Sequence, residues 1–173
     1  MYVGSLYPLR VVCLIGLVAD SHDNLDSIRK AVNLFNRESV DLVIHAGDLI
    51  SPFTAQEFGR LEMRFEAIFG NNDGERDGLR AAYSELTELS DFKELEFDGL
   101  QIAVIHGHNR QILDCVAGCG RYDLVVTGHT HEKTIVSAET IKVNPGELCG
   151  YLSGESTLAL FDTDRLSCEF VRL

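Results

Sequence analysis

The chain is short of positive charge. Its 173 residues hold 15 Lys and Arg against 27 Asp and Glu, a formal net charge of -12. Proteins that grip nucleic acid through many phosphate contacts need clustered Lys and Arg, so that class of partner is disfavoured. Acidity of this kind reads first as a solvated, soluble surface. A bound metal would still present positive potential locally to an anionic substrate. Proline is scarce, at three residues, and no stretch is repetitive or low in complexity, so no linker is visible. Cysteine comes in an odd number, five, without a CxxC pair. That usage points to buried or free thiols in a reducing cytosol, and so to a cytoplasmic protein. Cys115 and Cys119 stand four residues apart without a His or Cys partner at zinc-finger spacing, which reads as a core or surface pair.

The length suits one domain with a sizeable core over residues 1–173 and is too short for two ordinary ones. One segment imitates a targeting signal: Arg10 followed by the apolar run from Val11 to Ala19. The run is too short to span a bilayer. Cleavage near Ala19 would also cut beside the most chemical motif in the chain. A buried first strand is the simpler reading, with residues 1–10 as a loose extension.

Short apolar runs then alternate with helical patterns. Leu25, Ile28, Val32 and Phe35 recur at helical spacing with Asn24 as a cap. Leu42 to Ile44 reads as a second strand, Pro52 to Leu61 as a helix, Phe65 to Phe69 as a third strand and Leu79 to Leu86 as another helix. Hairpins follow. Asp98-Gly99 between two apolar runs is the strongest short hairpin signal. Residues 112–116 read as helix and 122–127 as strand. Segments 134–137 and 141–144 are expected to pair, as are 158–162 and 168–171. The first half suggests βαβ units and the second a mixed or antiparallel sheet; two packed sheets with helices outside satisfy both.

The polar residues gather at one kind of place, directly after apolar strands. Asp20-Ser21-His22, Gly47-Asp48, Gly70-Asn71-Asn72-Asp73, His106-Gly107-His108 and Gly128-His129-Thr130-His131 each follow a run of this type. Carboxyl ends of strands are where α/β sheets bind ligands. Asp, Asn and His offer oxygen and imidazole ligands without thiolate, which suits Mn, Fe, Co, Ni or Zn better than calcium. The candidates exceed what one tetrahedral ion needs and fit two ions about 3.5–4 Å apart. The neighbouring glycines at 47, 70, 107 and 128 fit tight turns where backbone approaches an ion or phosphate. Each piece alone has a plainer reading: a surface turn for Asp20 to His22, a helix cap for Asp48, a turn for Asn71 to Gly74, an exposed pair for His129 and His131. His45, inside the second strand, reads as a core histidine or one that supports a ligand. It is the five endings together, in order, that carry the signal.

These five motifs resemble those of the calcineurin-like metallophosphoesterases, from about Val11 to the C-terminus. Asn144-Pro145-Gly146-Glu147 further resembles the small single-domain YfcE-like branch of bacterial and archaeal phosphodiesterases. The resemblance implies an α/β four-layer αββα sandwich of two mixed sheets and a site for two divalent metals. Asp20, His22 and His131 would hold one ion, Asn71, His106 and His129 the other, with Asp48 bridging; manganese is the first choice of metal. It also implies a hydrolase in which a metal-bound hydroxide attacks a small phosphodiester. Asp48, Asn71 and His108 are the catalytic candidates.

One departure matters. Many members carry His after the Asn of the third motif, a residue taken to protonate the leaving oxygen, and Asn72 stands there instead. General acid help is typically worth roughly 10²–10⁴-fold, so slow turnover or a preference for activated leaving groups is expected. His108 is the substitute donor to consider. The alternative is a non-catalytic scaffold like the small retromer subunit, which binds other proteins on this fold. The natural substrate stays open, and so does a homodimer.

Overall fold

The computed structural model describes residues 13–173; the expected loose extension at 1–10 lies outside the described residues. Ten strands and four α-helices follow in the order β1 (Leu14–Val18), α1 (Leu25–Glu38), β2 (Leu42–His45), α2 (Ala55–Phe58), β3 (Arg64–Ala67), α3 (Arg76–Tyr83), β4 (Phe92–Phe97), β5 (Leu100–Ile105), α4 (Arg110–Gly118), β6 (Leu124–Val126), β7 (Lys133–Ser137), β8 (Ile141–Pro145), β9 (Thr157–Asp162) and β10 (Ser167–Arg172). They form two five-stranded mixed sheets, ordered β10-β9-β1-β2-β3 and β4-β5-β6-β8-β7.

The alternation of side chains across each strand builds the layers. Ile15, Leu17, Leu42 and Ile44 from the first sheet meet Ile102, Val104, Leu124, Val126 and Val143 from the second in one buried cluster. Their alternate neighbours Val18, Val43 and Phe65 turn the other way. They pack against Ile28, Val32 and Phe35 of α1, Phe58 of α2, and Leu79 and Tyr83 of α3. On the far side Ala103 and Val125 meet Leu113, Val116 and Ala117 of α4. The result is the expected αββα sandwich. Its outermost helix is lightly seated, since none of the described residues of α4 is buried.

Local signals explain most boundaries. The Asn24 side chain accepts from Ser27 N (3.2 Å) to start α1. Asp98 and Gly99 both take positive φ (49° and 79°) in the turn between β4 and β5, as a two-residue hairpin of primed type requires. The helix expected over 52–61 is shorter: a 3₁₀ turn over Pro52–Thr54 runs into α2, which ends at Phe58. The helix expected over 79–86 ends at Tyr83. The terminal hairpin β9–β10 does not join the second sheet. It returns to pair antiparallel with β1 and completes the first.

Gly16 allows α1 to close on the first sheet. A Cβ there would lie 2.5 Å from Cε1 of Phe35, a fully buried ring. Overpacking of this sort typically costs about 1–3 kcal/mol. Gly16→Ala is expected to lower unfolding free energy by that amount in urea melts, and Phe35→Leu in the same chain to recover part of it.

Between the edges of the two sheets, Glu66 of β3 accepts from Lys93 of β4, Arg64 and Thr87. Burial alone would raise the Glu66 carboxyl, but these donors outweigh it and hold the group below its ordinary range. A carboxyl depressed in the folded state stabilises the fold above its unfolded value of ~4.3 and loses that contribution as pH falls further. Glu66→Gln should therefore flatten the acid side of the stability–pH curve below about pH 4.5, read from thermal melts at stepped pH.

Candidate metal centre

The sandwich places the strand ends of both sheets at one edge. β1, β2 and β3 run parallel, so their carboxyl ends deliver Asp20, Asp48 and Asn71 together. β5 and β6, also parallel, deliver His106 and His129 from the facing sheet. Asp20 N donates to Gly47 O (3.0 Å) and Gly128 N to His106 O (3.0 Å), which ties neighbouring endings to each other.

The backbone is strained where the endings meet. Asp20, His22, Asp48, His129 and His131 all take positive φ, between 38° and 71°; they make up half of the ten non-glycine residues that do so among those described. Such conformations cost of order 1–3 kcal/mol each and persist where surrounding structure over-determines them. Room is made by the neighbouring glycine: a Cβ on Gly70 would sit 2.1 Å from Oδ1 of Asp48.

The side chains then turn their acceptors inward. Nδ1–H of His106 donates to Ala46 O (2.8 Å), which leaves Nε2 facing Asn71 Oδ1 (3.0 Å) and Asp48 Oδ2 (3.5 Å). Nδ1–H of His131 donates to Glu147 Oε2 (2.7 Å), with Nε2 facing Asp20 Oδ1 (3.6 Å). Nε2 of His22 is buried with no hydrogen-bond partner among the described residues, and it faces Asp48 Oδ2 (3.4 Å) and Asp20 Oδ1 (4.0 Å). Asp20, His22 and His131 form one group of potential ligand atoms, and Asp20, Asp48 and His106 form another. His129 stands slightly apart, its ring centroid 5.3 Å from that of His106. His108 lies exposed at the rim, 5.9 Å from the His106 ring.

Acceptors converging on acceptors fit ligands for a divalent cation. The electrostatics agree. Burial pushes the Asp20 carboxyl up to about 6 against the pull of His106 and His131. At Asp48 burial is outweighed by His106 and by the Asn72 N–H groups, so that carboxylate is held well below its usual range. Burial works against a charge on His106, yet Asp48 outweighs it and raises the affinity of His106 for a proton. Burial lowers His22 and His129, keeping their imidazoles neutral as metal ligation demands. The donor set of carboxylate, amide and imidazole fits divalent first-row ions.

A surrounding set of residues fixes these groups. His45, buried in β2, accepts from Gly47 N at Nδ1 (3.2 Å), and its Nε2 meets Ser21 Oγ (2.9 Å). Burial drives it down to about 3, so it stays neutral; it supports the Asp48 turn, as one of its two expected readings held. Asn72 donates to both Asp48 oxygens, from N (2.9 Å) and Nδ2 (2.8 Å). Three further residues stood inside the quoted motifs without a role assigned to them. Asn144 holds Gly128 O (2.7 Å). Glu147, fully buried, orients His131 and accepts from Ser153 and Leu152; against the cost of burial these donors hold it down to about 2. Asp73 accepts from Asp48 N (3.1 Å), Gly70 N (2.6 Å) and Ile50 N (2.7 Å), clamping the second and third endings together. Their signal was membership of the motifs themselves.

With the geometry in view, the comparisons with known proteins are direct. The chain belongs to the calcineurin-like phosphoesterase superfamily, whose domain model matches residues 13–166. It is 42% identical over 155 residues to a phosphodiesterase of Methanocaldococcus jannaschii, covering 87% of this chain and 93% of that protein. A solved archaeal phosphodiesterase superposes with a TM-score of 0.89 at 39% identity, covering 92% of this chain and 99% of the other. Vps29 from Chaetomium thermophilum, at 15% identity, shares the fold with a TM-score of 0.70 over 93% of this chain and 94% of its own.

Removing the Asp73 carboxylate would leave three N–H groups unpaired, two of them buried. Unmet donors of this kind cost roughly 1–3 kcal/mol each. Asp73→Ala is expected to destabilise the metal-free protein by about 3 kcal/mol in chemical denaturation, and Asp73→Asn by less.

Proposed function

We propose that this protein is a two-metal phosphodiesterase acting on small phosphodiesters in the cytoplasm, with manganese as the first choice of metal. The single observation that carries the reading is the buried, unpartnered Nε2 of His22 facing the oxygens of Asp48 and Asp20. One ion would be held by Asp20, His22 and His131, the other by Asn71, His106 and His129, with Asp48 between them. The similarity to the Methanocaldococcus jannaschii phosphodiesterase supports the substrate class.

When bound, two divalent ions supply charge neutralisation for a phosphoryl group and make water more acidic. The chain's own residues do the rest. Asp48 is fixed by Asn72 and by the His45–Ser21 pair, so the geometry of approach is set before substrate arrives. Glu147 fixes the tautomer of His131 so that Nε2 points inward. Exposed Asn71 and His108 stand where a phosphoryl ester would enter. The Asn72 amide is committed to Asp48 and has no proton to give near neutral pH, which leaves His108 as the nearest group able to protonate a departing oxygen.

Two outcomes follow for a phosphoester panel run with each candidate metal and with bound metal quantified. Bis(p-nitrophenyl) phosphate should be hydrolysed in proportion to bound metal, and Asp48→Ala should lose both metal and turnover. Rates should fall steeply as the leaving alcohol becomes less acidic, with alkyl diesters about 10²–10⁴-fold slower than aryl ones in the absence of a strong general acid. Full activity in metal-free Asp48→Ala would overturn the reading. Metal binding without turnover on any ester would favour the scaffold alternative.

A further inference from the structure

The surface beside the candidate metal centre opens into a cavity of about 650 Å³ whose walls include Asn71, Arg76, Phe92, His108, Ile112 and Val116. That volume is within the range of small-ligand sites. Asn71 belongs to the centre itself, where its Oδ1 lies 3.0 Å from His106 Nε2, so the cavity and the centre are continuous. Moving away from the centre the wall becomes apolar. Phe92 is 36% exposed and Ile112 52% exposed, and both line this one hollow.

The charge of the cavity selects among occupants. Its fully charged lining residues, among those described, are Arg76 and Asp91, and they are paired with each other (2.8 Å). Arg76 is further engaged over the Phe69 ring, 4.7 Å from its centroid. The hollow therefore presents no free cation to a second phosphate, and a polyanionic substrate gains nothing from entering it. What it does present is the Phe92 ring, set edge-on to Tyr122 with centroids 6.4 Å apart, and, from α4, the aliphatic side chains of Ile112 and Val116. Flat apolar surface between a ring and branched aliphatics suits an uncharged planar group.

We propose that this cavity seats one ester arm of the phosphodiester, and that the arm is an uncharged aromatic or heteroaromatic group packed between Phe92 and Ile112. The assignment rests on the phosphodiesterase reading and deepens it by naming the substrate class. The phosphoryl group lies at Asn71 and His108, at the mouth of the cavity. The aromatic arm extends toward Val116. Affinity for the arm is then independent of the reaction at phosphorus.

The test uses the full-length protein loaded with Mn²⁺ and two inert phosphonates, with affinities measured by calorimetry. Phenylphosphonate is expected to bind at least ~10-fold more tightly than methylphosphonate, the order expected from burying a ring's apolar area. In Ile112→Asp and in Phe92→Ala, each checked for folding by circular dichroism, that preference should shrink to ~2-fold or less. Both positions are solvent-exposed, and either variant alone suffices. Equal binding of the two ligands by the unmodified protein, binding of neither, or a preference that survives in both variants would overturn the proposal. Turnover of bis(p-nitrophenyl) phosphate in the same preparations reports separately on the underlying reading. Aryl preference without turnover would sink the phosphodiesterase and spare the cavity; turnover without aryl preference would do the reverse.

Discussion

Two carboxylates are buried at the ends of adjacent parallel strands, and most of the molecule's unusual features answer that constraint. Asp20 and Asp48 are 0% and 1% exposed, in surroundings where an unbalanced charge is expensive. The protein meets the cost in part, with the His129 backbone N–H on Asp20 and the two N–H donors of Asn72 on Asp48. It leaves the remainder for positive charge from outside. The left-handed turns, the glycines without room for a Cβ and the inward-facing imidazoles are consequences of bringing these groups together against their mutual repulsion. A fold chosen for stability alone would have no reason to accept them.

Much of this was legible in the sequence because the relevant periodicities are local. The apolar runs that end in Asp20, Asp48 and His106 alternate or cluster as buried strands must, and the Asn24 cap and the Asp98-Gly99 turn act within a few residues of themselves. The five motifs were legible for the same reason, since each sits directly after its strand. What could not be read was anything decided across the sandwich. The last hairpin looks like a continuation of the second sheet, and only the open edge of β1 explains why β9 pairs there. The helix expected over 52–61 gives way after Phe58 to turns through Gly59 and Leu61, and the Phe58 ring packs against His45, Phe65 and Tyr83, contacts made across the fold. The roles of Glu147 and Asp73 were hidden likewise: both stand in quoted motifs, but the groups they fix, His131 and the Asp48 turn, lie on other loops.

Asn72 shows how one substitution reads differently at the two levels. By sequence it is a loss, an amide where relatives of this fold often carry an imidazole. In the structure its amide is engaged, donating 2.8 Å to the same Asp48 oxygen that His22 and His106 face. A position from which the family resemblance implies proton transfer here holds a carboxylate still. Loss of proton transfer and gain of rigidity are not exclusive.

The way the first sheet closes bears on how the protein is made. β1 lies between β2, which follows it within 30 residues, and β9, which begins at Thr157. A chain emerging from the ribosome presents β1 with one side unpaired until β9 has been made. Contacts so distant in sequence slow folding. His129 and His131 arrive only slightly earlier. An ion held by Asp20, His22 and His131 would find its full ligand set only once His131 has been made, so it could not guide the folding of β1 to β5.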